Sequence, residues 1–300
     1  MDWSSAQLRS LVELTRRGTV TAVAEVLGYT PGGVSQQLSA LERAAGVPLL
    51  RRVGRRVELT DAGSALAVHA ERILGIEADA VAALERTTRT VSGTVEVGLF
   101  ATAAAAEILP LALAGIAASH PGLTVRSREM VVDDVYDAVA AGSVDLALGL
   151  DYPDEPIARD PALRIVRLFR ERFGLAVPDD VLPGAESANL AGSGELRWIL
   201  PDLETHYGRA VLTACRRAGV EPDVRHQVTD TAASLALVEA GVGVTPATGL
   251  MLRLRPSRLR VLRLAERFER DVVVIVRASA QGRPTVSALV DVLRALTVER

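Results

Sequence analysis

Residues 21–41, which read TAVAEVLGYTPGGVSQQLSAL, constrain the fold of this chain more than any other segment. Thr21 can cap a short helix, and Gly28 can supply the turn residue that ends it. Thr30 and Pro31 are residue types preferred just before a helix and at its first position. The segment therefore predicts two helices joined by a tight turn.

The second helix of this pair is expected to run to about Ala44, with one apolar and one polar face. Val34, Leu38 and Leu41 recur at helical spacing and would form the buried face. Hydroxyl and amide side chains remain on the other face, where they could read base edges in the major groove of DNA. The candidate DNA-binding residues of this helix are Thr30, Pro31, Ser35, Gln36 and Gln37.

A short β-hairpin rich in arginine is predicted directly after the helices. Residues 49–59 read as two strands that turn near Gly54. Its four arginines are Arg51, Arg52, Arg55 and Arg56. Residues 1–60 hold eight arginines against five acids, although the whole chain has a net charge of −3. A charge run is most often solvated surface, but its position beside the helix pair favours contact with DNA phosphates or a narrow minor groove.

Thr60 can cap a long helix that follows the hairpin and runs to about residue 88. Apolar residues alternate at spacings of three and four along it, as in a coiled-coil seam. The seam comprises Leu66, His69, Ile73, Ile76, Ala80 and Ala83. At 1.5 Å per residue the helix would be about 40 Å long. We expect it to be a linker that dimerises through Leu66, Ile73, Ile76 and Ala80; the alternative is a helix packed on its own domain, because periodicity does not distinguish the two.

At this point the sequence resembles a known family. The three helices, the segment TPGGVSQQLSALERAAGVPLL, the wing RRVGRRVELTDAG and the long helix are similar to the LysR-type transcriptional regulators. The resemblance is most specific in residues 5–70. Gly32 and Gly33 depart from it, because better helix formers usually open the recognition helix; two glycines there could cost about 2 kcal/mol.

The resemblance implies a domain order and a set of partners. It places a winged helix-turn-helix domain at residues 1–60, a linker helix at 61–92 and an effector-binding domain at 93–300. It implies double-stranded operator DNA and a small-molecule effector, which we expect to be a small acidic metabolite. It also implies a homodimer or tetramer and leaves RNA polymerase as a further partner.

From Thr94 onwards, strands alternate with helices, which predicts an α/β domain with a mainly parallel sheet. A second series of strands and helices begins at the segment FGLAVP. The resemblance implies two lobes, as in periplasmic binding proteins. Lobe I would comprise residues 93–166 and 268–300, and lobe II residues 167–267.

The effector is expected between the lobes. Thr102 and Ala103 stand at the predicted start of the helix after the first strand, where a hydroxyl and free amides favour an anion. By resemblance, Thr205 and Thr231 contribute from loops on the opposite lobe. Each threonine could equally be an ordinary helix cap.

The composition argues against several other functions. The chain has four scattered histidines and one cysteine, so no metal-ligand spacing and no intrachain disulfide is available. Cys215 falls in a helix among apolar residues, where a buried, inert thiol is expected. No phosphate-binding loop, membrane span or leader is recognised, so the sequence predicts a cytoplasmic regulator without cofactor or enzymatic activity. The alternative is a two-lobed solute receptor or enzyme with an accessory N-terminal domain.

Overall fold

The residues described by the computed structural model are 3–53, 56–85, 91–100, 106–157, 160–254 and 259–298. Two compact units divide the chain, one formed mainly by the first 88 residues and the other by the residues that follow. Among the helices in these ranges, none has both the length and the apolar character that a membrane span requires.

Three helices begin the first unit: α1 (Ser5–Arg17), α2 (Val20–Leu27) and α3 (Pro31–Ala45). The start of α3 is confirmed, since the Thr30 hydroxyl accepts a hydrogen bond from the Gly33 N–H at 3.1 Å. The prediction that Thr21 caps α2 is wrong. Thr19 occupies the extended cap position and accepts from the Ala22 N–H at 3.3 Å, so Thr21 lies inside the helix.

The predicted buried face of α3 is confirmed, because Val34, Leu38 and Leu41 pack into the core of this unit. The wing follows as β1 (Leu50–Val53) and β2 (Arg56–Leu59), which pair antiparallel. The Glu42 carboxylate of α3 accepts from the backbone N–H groups of Leu49 and Leu50, at 2.9 and 3.0 Å. These two bonds fix the start of the wing to α3.

The long helix is α4 (Asp61–Glu85), and the predicted cap is confirmed by the 3.0 Å bond from the Gly63 N–H to the Thr60 hydroxyl. A Cβ at Gly63 would lie 2.1 Å from the Leu49 carbonyl oxygen, so only glycine permits this approach. Ala67 and Ala70 are buried in the core formed by the first three helices. Part of α4 therefore packs on its own domain.

The second unit contains the remaining elements. Its strands are β3 (Gly93–Phe100), β4 (Leu123–Met130), β5 (Leu146–Asp151), β6 (Leu163–Arg172), β7 (Gly174–Val177), β8 (Ser187–Ala188), β9 (Arg197–Leu200), β10 (Asp223–Gln227), β11 (Thr245–Ala247), β12 (Arg260–Leu264) and β13 (Glu269–Arg277). Its helices are α5 (Leu109–Ser119), α6 (Val135–Ala140), α7 (His206–Arg217), α8 (Thr231–Glu239), α9 (Gly249–Arg253) and α10 (Pro284–Val298).

One lobe is built on a five-stranded sheet of order β4-β3-β5-β13-β6. As predicted, β3 pairs parallel with β4 and β5. The expectation of a mainly parallel sheet fails for the other two strands, because β13 returns from the second lobe and runs antiparallel to both β5 and β6. The strand β6 was not predicted at all. Four of its ten residues are arginines, which interrupt the apolar pattern of a strand: Arg164, Arg167, Arg170 and Arg172.

The second lobe contains a four-stranded sheet of order β11-β7-β12-β8 and a parallel pair of β9 and β10. The predicted strands at 174–177, 197–200 and 223–227 and the helices α7 and α8 are confirmed. The elements β8, α9 and β12 were missed. Between β4 and α6, the chain makes a 3₁₀ turn at Val132–Asp134, so the helix expected from Asp133 begins two residues later.

Candidate DNA-binding surface and effector cleft

The start of α3 forms an exposed polar surface. Thr30 and Pro31 are exposed at the cap and the first helical position, and Ser35 and Gln36 are exposed one turn further on. The cap hydroxyl is engaged with the Gly33 amide, which leaves Ser35 and Gln36 as the hydroxyl and amide able to contact another molecule. This is the surface that the sequence predicted.

Gln37 differs from its neighbours. Its side chain is half-buried, and its Oε1 accepts a hydrogen bond from the hydroxyl of Ser10 in α1. Sequence reasoning treated Gln37 as free and did not identify Ser10, which is fully buried. A serine among the apolar residues of α1 was the available signal.

The wing presents its first arginine to solvent. The Arg51 side chain is 64% exposed and forms a 3.1 Å ion pair with Glu58 on the opposite strand. Exposed pairs of this kind stabilise a fold little, so Arg51 can exchange its partner for a phosphate. For Arg52 and Arg56 the structure gives backbone pairing, with Val57 and Val53 respectively. Arg55 lies outside the described residues.

Two faces of α4 differ in their exposure to solvent. Leu66 packs partly against the core of its own unit. Ile73 and Ile76 point outwards, with 41% and 69% of their surfaces exposed. Ala80 is also exposed. The predicted seam is thus divided: Leu66 contributes to its own domain, whereas the other three candidate residues are available to a partner.

The predicted effector residues lie in different settings. Thr102 and Ala103 fall outside the described residues. Thr205 is the N-cap of α7, where its hydroxyl accepts from the Gly208 N–H at 3.1 Å. Thr231 is the first residue of α8 and not its cap, because Asp230 accepts from the Ala233 N–H at 2.7 Å.

The two lobes meet along α7, through residues that the sequence did not indicate. The Asp133 Oδ2 atom, from the first lobe, accepts from the His206 N–H at 3.0 Å. Glu155 follows β5 in the same lobe, and its backbone oxygen bonds to Nε2 of His206. At the C-terminal end of α7, Arg217 forms an ion pair with Asp154 at 2.5 Å. These contacts place both ends of α7 at the boundary between the lobes.

Aromatic rings are concentrated at this boundary. Tyr152 stacks on Tyr207 with centroids 6.0 Å apart, and Tyr207 stacks on Phe173 at 5.7 Å. Phe173 in turn stacks on Phe268 at 4.2 Å. The chain has two tryptophans, four tyrosines and four phenylalanines, so four of its ten aromatic residues lie in this one stack. They come from segments far apart in the sequence, which is why no local pattern revealed them.

A buried cation lies beside the stack. Arg270, 4% exposed, pairs with Glu171 at 2.7 Å and donates to the Thr248 hydroxyl at 2.8 Å. Burial raises the pKa of Tyr152 to about 12, although the nearby Arg270 cation opposes this. Within the described residues, the Asp133 Oδ1 atom is buried without a hydrogen-bond partner, and the Tyr152 hydroxyl, although close to the Arg270 guanidinium, has no partner at normal hydrogen-bond geometry.

The described residues show neither a metal site nor an activated nucleophile. They contain no group of three or more histidine, cysteine, aspartate or glutamate side chains that could hold a metal ion. Cys215 is a buried free thiol in α7, and burial raises its pKa to about 11. A neutral thiol is a poor nucleophile, so this cysteine is unsuited to attack a substrate.

Two family models match the chain. The model of the bacterial regulatory helix-turn-helix protein of the lysR family matches residues 5–64, and the LysR substrate binding domain matches residues 88–297. Together they span the helix pair, the wing and both lobes.

Individual proteins match over nearly the whole length. The HTH-type transcriptional regulator TdfR of Cupriavidus pinatubonensis is 29% identical over 291 residues, which cover 96% of this chain and 97% of the relative. A probable hydrogen peroxide-inducible genes activator of Mycobacterium avium is 29% identical, covering 93% and 89%. Full-length CbnR, solved in complex with its target DNA, is 25% identical with a TM-score of 0.66, covering 97% and 99%.

Proposed function

Since the chain belongs to the LysR family of DNA-binding transcription regulators, we propose that α3 enters the major groove of an operator and that Ser35 and Gln36 read base edges there. The observation that carries this proposal is the exposed polar front of α3, held by the Thr30 cap. Arg51 and the neighbouring arginines Arg52, Arg55 and Arg56 would neutralise phosphates on either side. Affinity should therefore fall steeply as salt is raised.

Base reading by Gln36 can be tested on a site that the full chain selects from a random DNA pool. Gln36→Ala should cost about 1–3 kcal/mol on the selected site and almost nothing on random DNA. Gln227→Ala is the matched control, since Gln227 is an exposed glutamine in the other unit. Equal losses on selected and random DNA would contradict base reading by Gln36.

We further propose that a small-molecule effector binds where the two lobes meet, beside Tyr152 and Asp133. Buried polar atoms without partners are uncommon and cost about 1–3 kcal/mol each. The hydroxyl of Tyr152 and Oδ1 of Asp133 are in this state, and an effector could supply the missing hydrogen bonds. The aromatic stack supports a small acid with an apolar body. Such an acid would also need a hydroxyl or another donor for Asp133, because an ionised carboxylate only accepts, and the Arg270 charge is already paired with Glu171.

The Tyr152→Phe variant tests this site. Removing a buried hydroxyl without a partner should leave the stability of the free protein unchanged or slightly higher, because an unsatisfied group is lost. The thermal shift produced by a matching metabolite, found by screening small acids against the wild type, should fall, because the stabilisation by a bound ligand rises with the logarithm of its affinity. An undiminished shift in Tyr152→Phe would remove Tyr152 from the site.

The lobes would transmit effector binding by changing their relative orientation, with no chemistry on the ligand. A ligand shifts such an equilibrium only by its differential affinity for the two states. The contacts of Asp133, Glu155 and Asp154 with α7 are among the described bonds that a change in orientation would have to rearrange. We propose that the regulator acts in the cytoplasm as a homodimer or tetramer through α4, with RNA polymerase as a further partner.

A peroxide response through an intrachain disulfide is not supported, although one relative is named for hydrogen peroxide induction. Such a response needs two cysteines, and the chain has one. The remaining thiol is buried, and its raised pKa keeps it protonated at neutral pH. These features favour a metabolite as effector.

A further inference from the structure

The bond between Ser10 and Gln37 links the interior of α1 to the recognition helix. Ser10 is fully buried, while the buried residues around it in α1 are Leu8, Leu11, Val12 and Leu14. A buried hydroxyl in an apolar setting costs free energy unless it is hydrogen-bonded. Ser10 meets this requirement by donating to Oε1 of Gln37, 27 residues along the chain.

This bond determines which end of the Gln37 amide faces outwards. A glutamine amide has one oxygen that accepts and one NH₂ group that donates, and the two point in different directions. With Oε1 held by Ser10, the NH₂ group is the end of this half-buried amide left to contact another molecule. Gln36 is exposed and retains both functions.

Adenine is read by a glutamine that uses both ends of its amide, donating to N7 and accepting from the N6 amino group. The bond to Ser10 turns the acceptor of Gln37 towards α1 and leaves its donor for DNA, so Gln37 matches hydrogen-bond acceptors. Acceptors on DNA are guanine O6 and N7, adenine N7 and thymine O4 in the major groove, and phosphate oxygens. Only guanine offers two adjacent acceptors to one NH₂ group, and a donor to N7 alone does not distinguish adenine from guanine, so guanine or phosphate is the expected partner.

We propose that Ser10 is a positioning residue that makes Gln37 a donor-only contact to DNA and leaves the reading of adenine to Gln36. The inference rests on the proposed function, since it requires α3 to face DNA. It removes Gln37 from the adenine-reading residues that the polar pattern of α3 indicates and brings a buried serine into the specificity of the domain.

Binding-site selection with full-length protein tests the proposal, using the wild type, Ser10→Ala, Gln37→Met and Gln36→Met. Methionine resembles glutamine in shape and lacks its amide. Gln37→Met should weaken binding by about 2- to 12-fold, as expected for one hydrogen bond. It should keep every adenine preference of the selected motif, whereas Gln36→Met should lose one.

The motif also identifies the acceptor. Loss of preference at one guanine in Gln37→Met places the contact on that base, and an unchanged motif with uniformly weaker binding places it on phosphate. Ser10→Ala should broaden one position to admit adenine, because the freed amide can then turn. Since Gln37 is half-exposed, its released oxygen can bond to water, so this variant is expected to fold.

Two results would overturn the proposal: loss of an adenine preference in Gln37→Met, or a Ser10→Ala motif identical to that of the wild type. Failure of the wild type to select any motif would instead reject the proposed function itself. The Gln37→Met result does not depend on the folding of Ser10→Ala, so the two arms can be judged separately.

Discussion

Gly32 and Gly33 occupy the first turn of α3, and the space around them differs. A Cβ at Gly32 would meet nothing within 4 Å, whereas a Cβ at Gly33 would lie 3.2 Å from the Thr30 hydroxyl that caps the helix. Gly32→Ala should therefore raise the opening free energy of α3 by about 1 kcal/mol. Amide hydrogen exchange in the full chain measures this opening free energy. Gly33→Ala should raise it by less, because the added methyl group crowds the Thr30 cap. An equal increase in both variants would mean that the Thr30 cap accommodates the added methyl group at no cost in free energy.

Cys215 gives the second unit a pH dependence with a definite sign. Burial raises the pKa of the thiol from its usual 9.0 to about 11, and Glu221 and Glu266 add to the effect. The folded state therefore keeps a proton that the unfolded state has lost. This contribution to stability is complete below pH 9 and disappears as the pH rises towards 11.

The loss can be isolated by comparing the wild type with Cys215→Ala. Urea unfolding midpoints should fall more steeply for the wild type than for the variant between pH 9 and pH 11. Both chains share every other titratable group, so the difference reports on the thiol alone. Parallel curves for the two chains would show that the thiol titrates normally.

At the level of elements, the strands β6 and β13 connect the lobes and carry complementary charges. Arg170 lies opposite Asp271, Glu171 opposite Arg270, and Arg172 opposite Glu269. A slip of one residue in either direction would place arginine opposite arginine and acid opposite acid. Like charges directly opposite each other are destabilising, so the charges fix the register of the connection.

Of these pairs, the buried pair of Arg270 and Glu171 should contribute most to the stability of the fold. Arg270→Met leaves the Glu171 carboxylate buried without its cation, which typically costs about 3–5 kcal/mol. Adding Glu171→Gln to the same chain should recover much of that loss, because no buried charge then remains. Arg216→Met is the control, since Arg216 and its partner Glu221 are both largely exposed and water can solvate the carboxylate. Urea unfolding of the four chains would count against the argument if both single variants lost equal stability.

The paired strands β6 and β13 also show which parts of the fold can be predicted from the sequence. The helices of the first unit were predictable because their caps and apolar stripes are local, as with Thr30 and the stripe of α3. The strand β6 was not, because its arginines are explained only by β13, about a hundred residues later. Asp133, Tyr152 and Arg270 likewise come together from distant segments, whereas Thr205 and Thr231 were selected on local cap chemistry.

At the scale of the whole molecule, the outer face of α4 leaves large apolar side chains uncovered. Ala67 and Ala70 pack on the core of their own unit, but Ile73 and Ile76 are exposed on the same helix. Large apolar side chains repeated at coiled-coil spacing are favourable only when a second surface removes them from water. A second copy of α4 meets this need with the same residues, in agreement with the twofold symmetry typical of operators.

Ile76→Glu should therefore weaken the dimer without unfolding the chain, because a carboxylate at this exposed position costs the free chain little but would be buried at the seam. Sedimentation over a range of concentrations should show the variant as a monomer where the wild type is a dimer. Arg72→Ala, a change at another exposed position of α4, should leave the assembly intact. The monomer should still bind a single half-site with the intrinsic affinity of its helix pair, but a two-half-site operator should bind no more tightly than one half-site. A variant that remained dimeric at all concentrations would place the partner surface elsewhere.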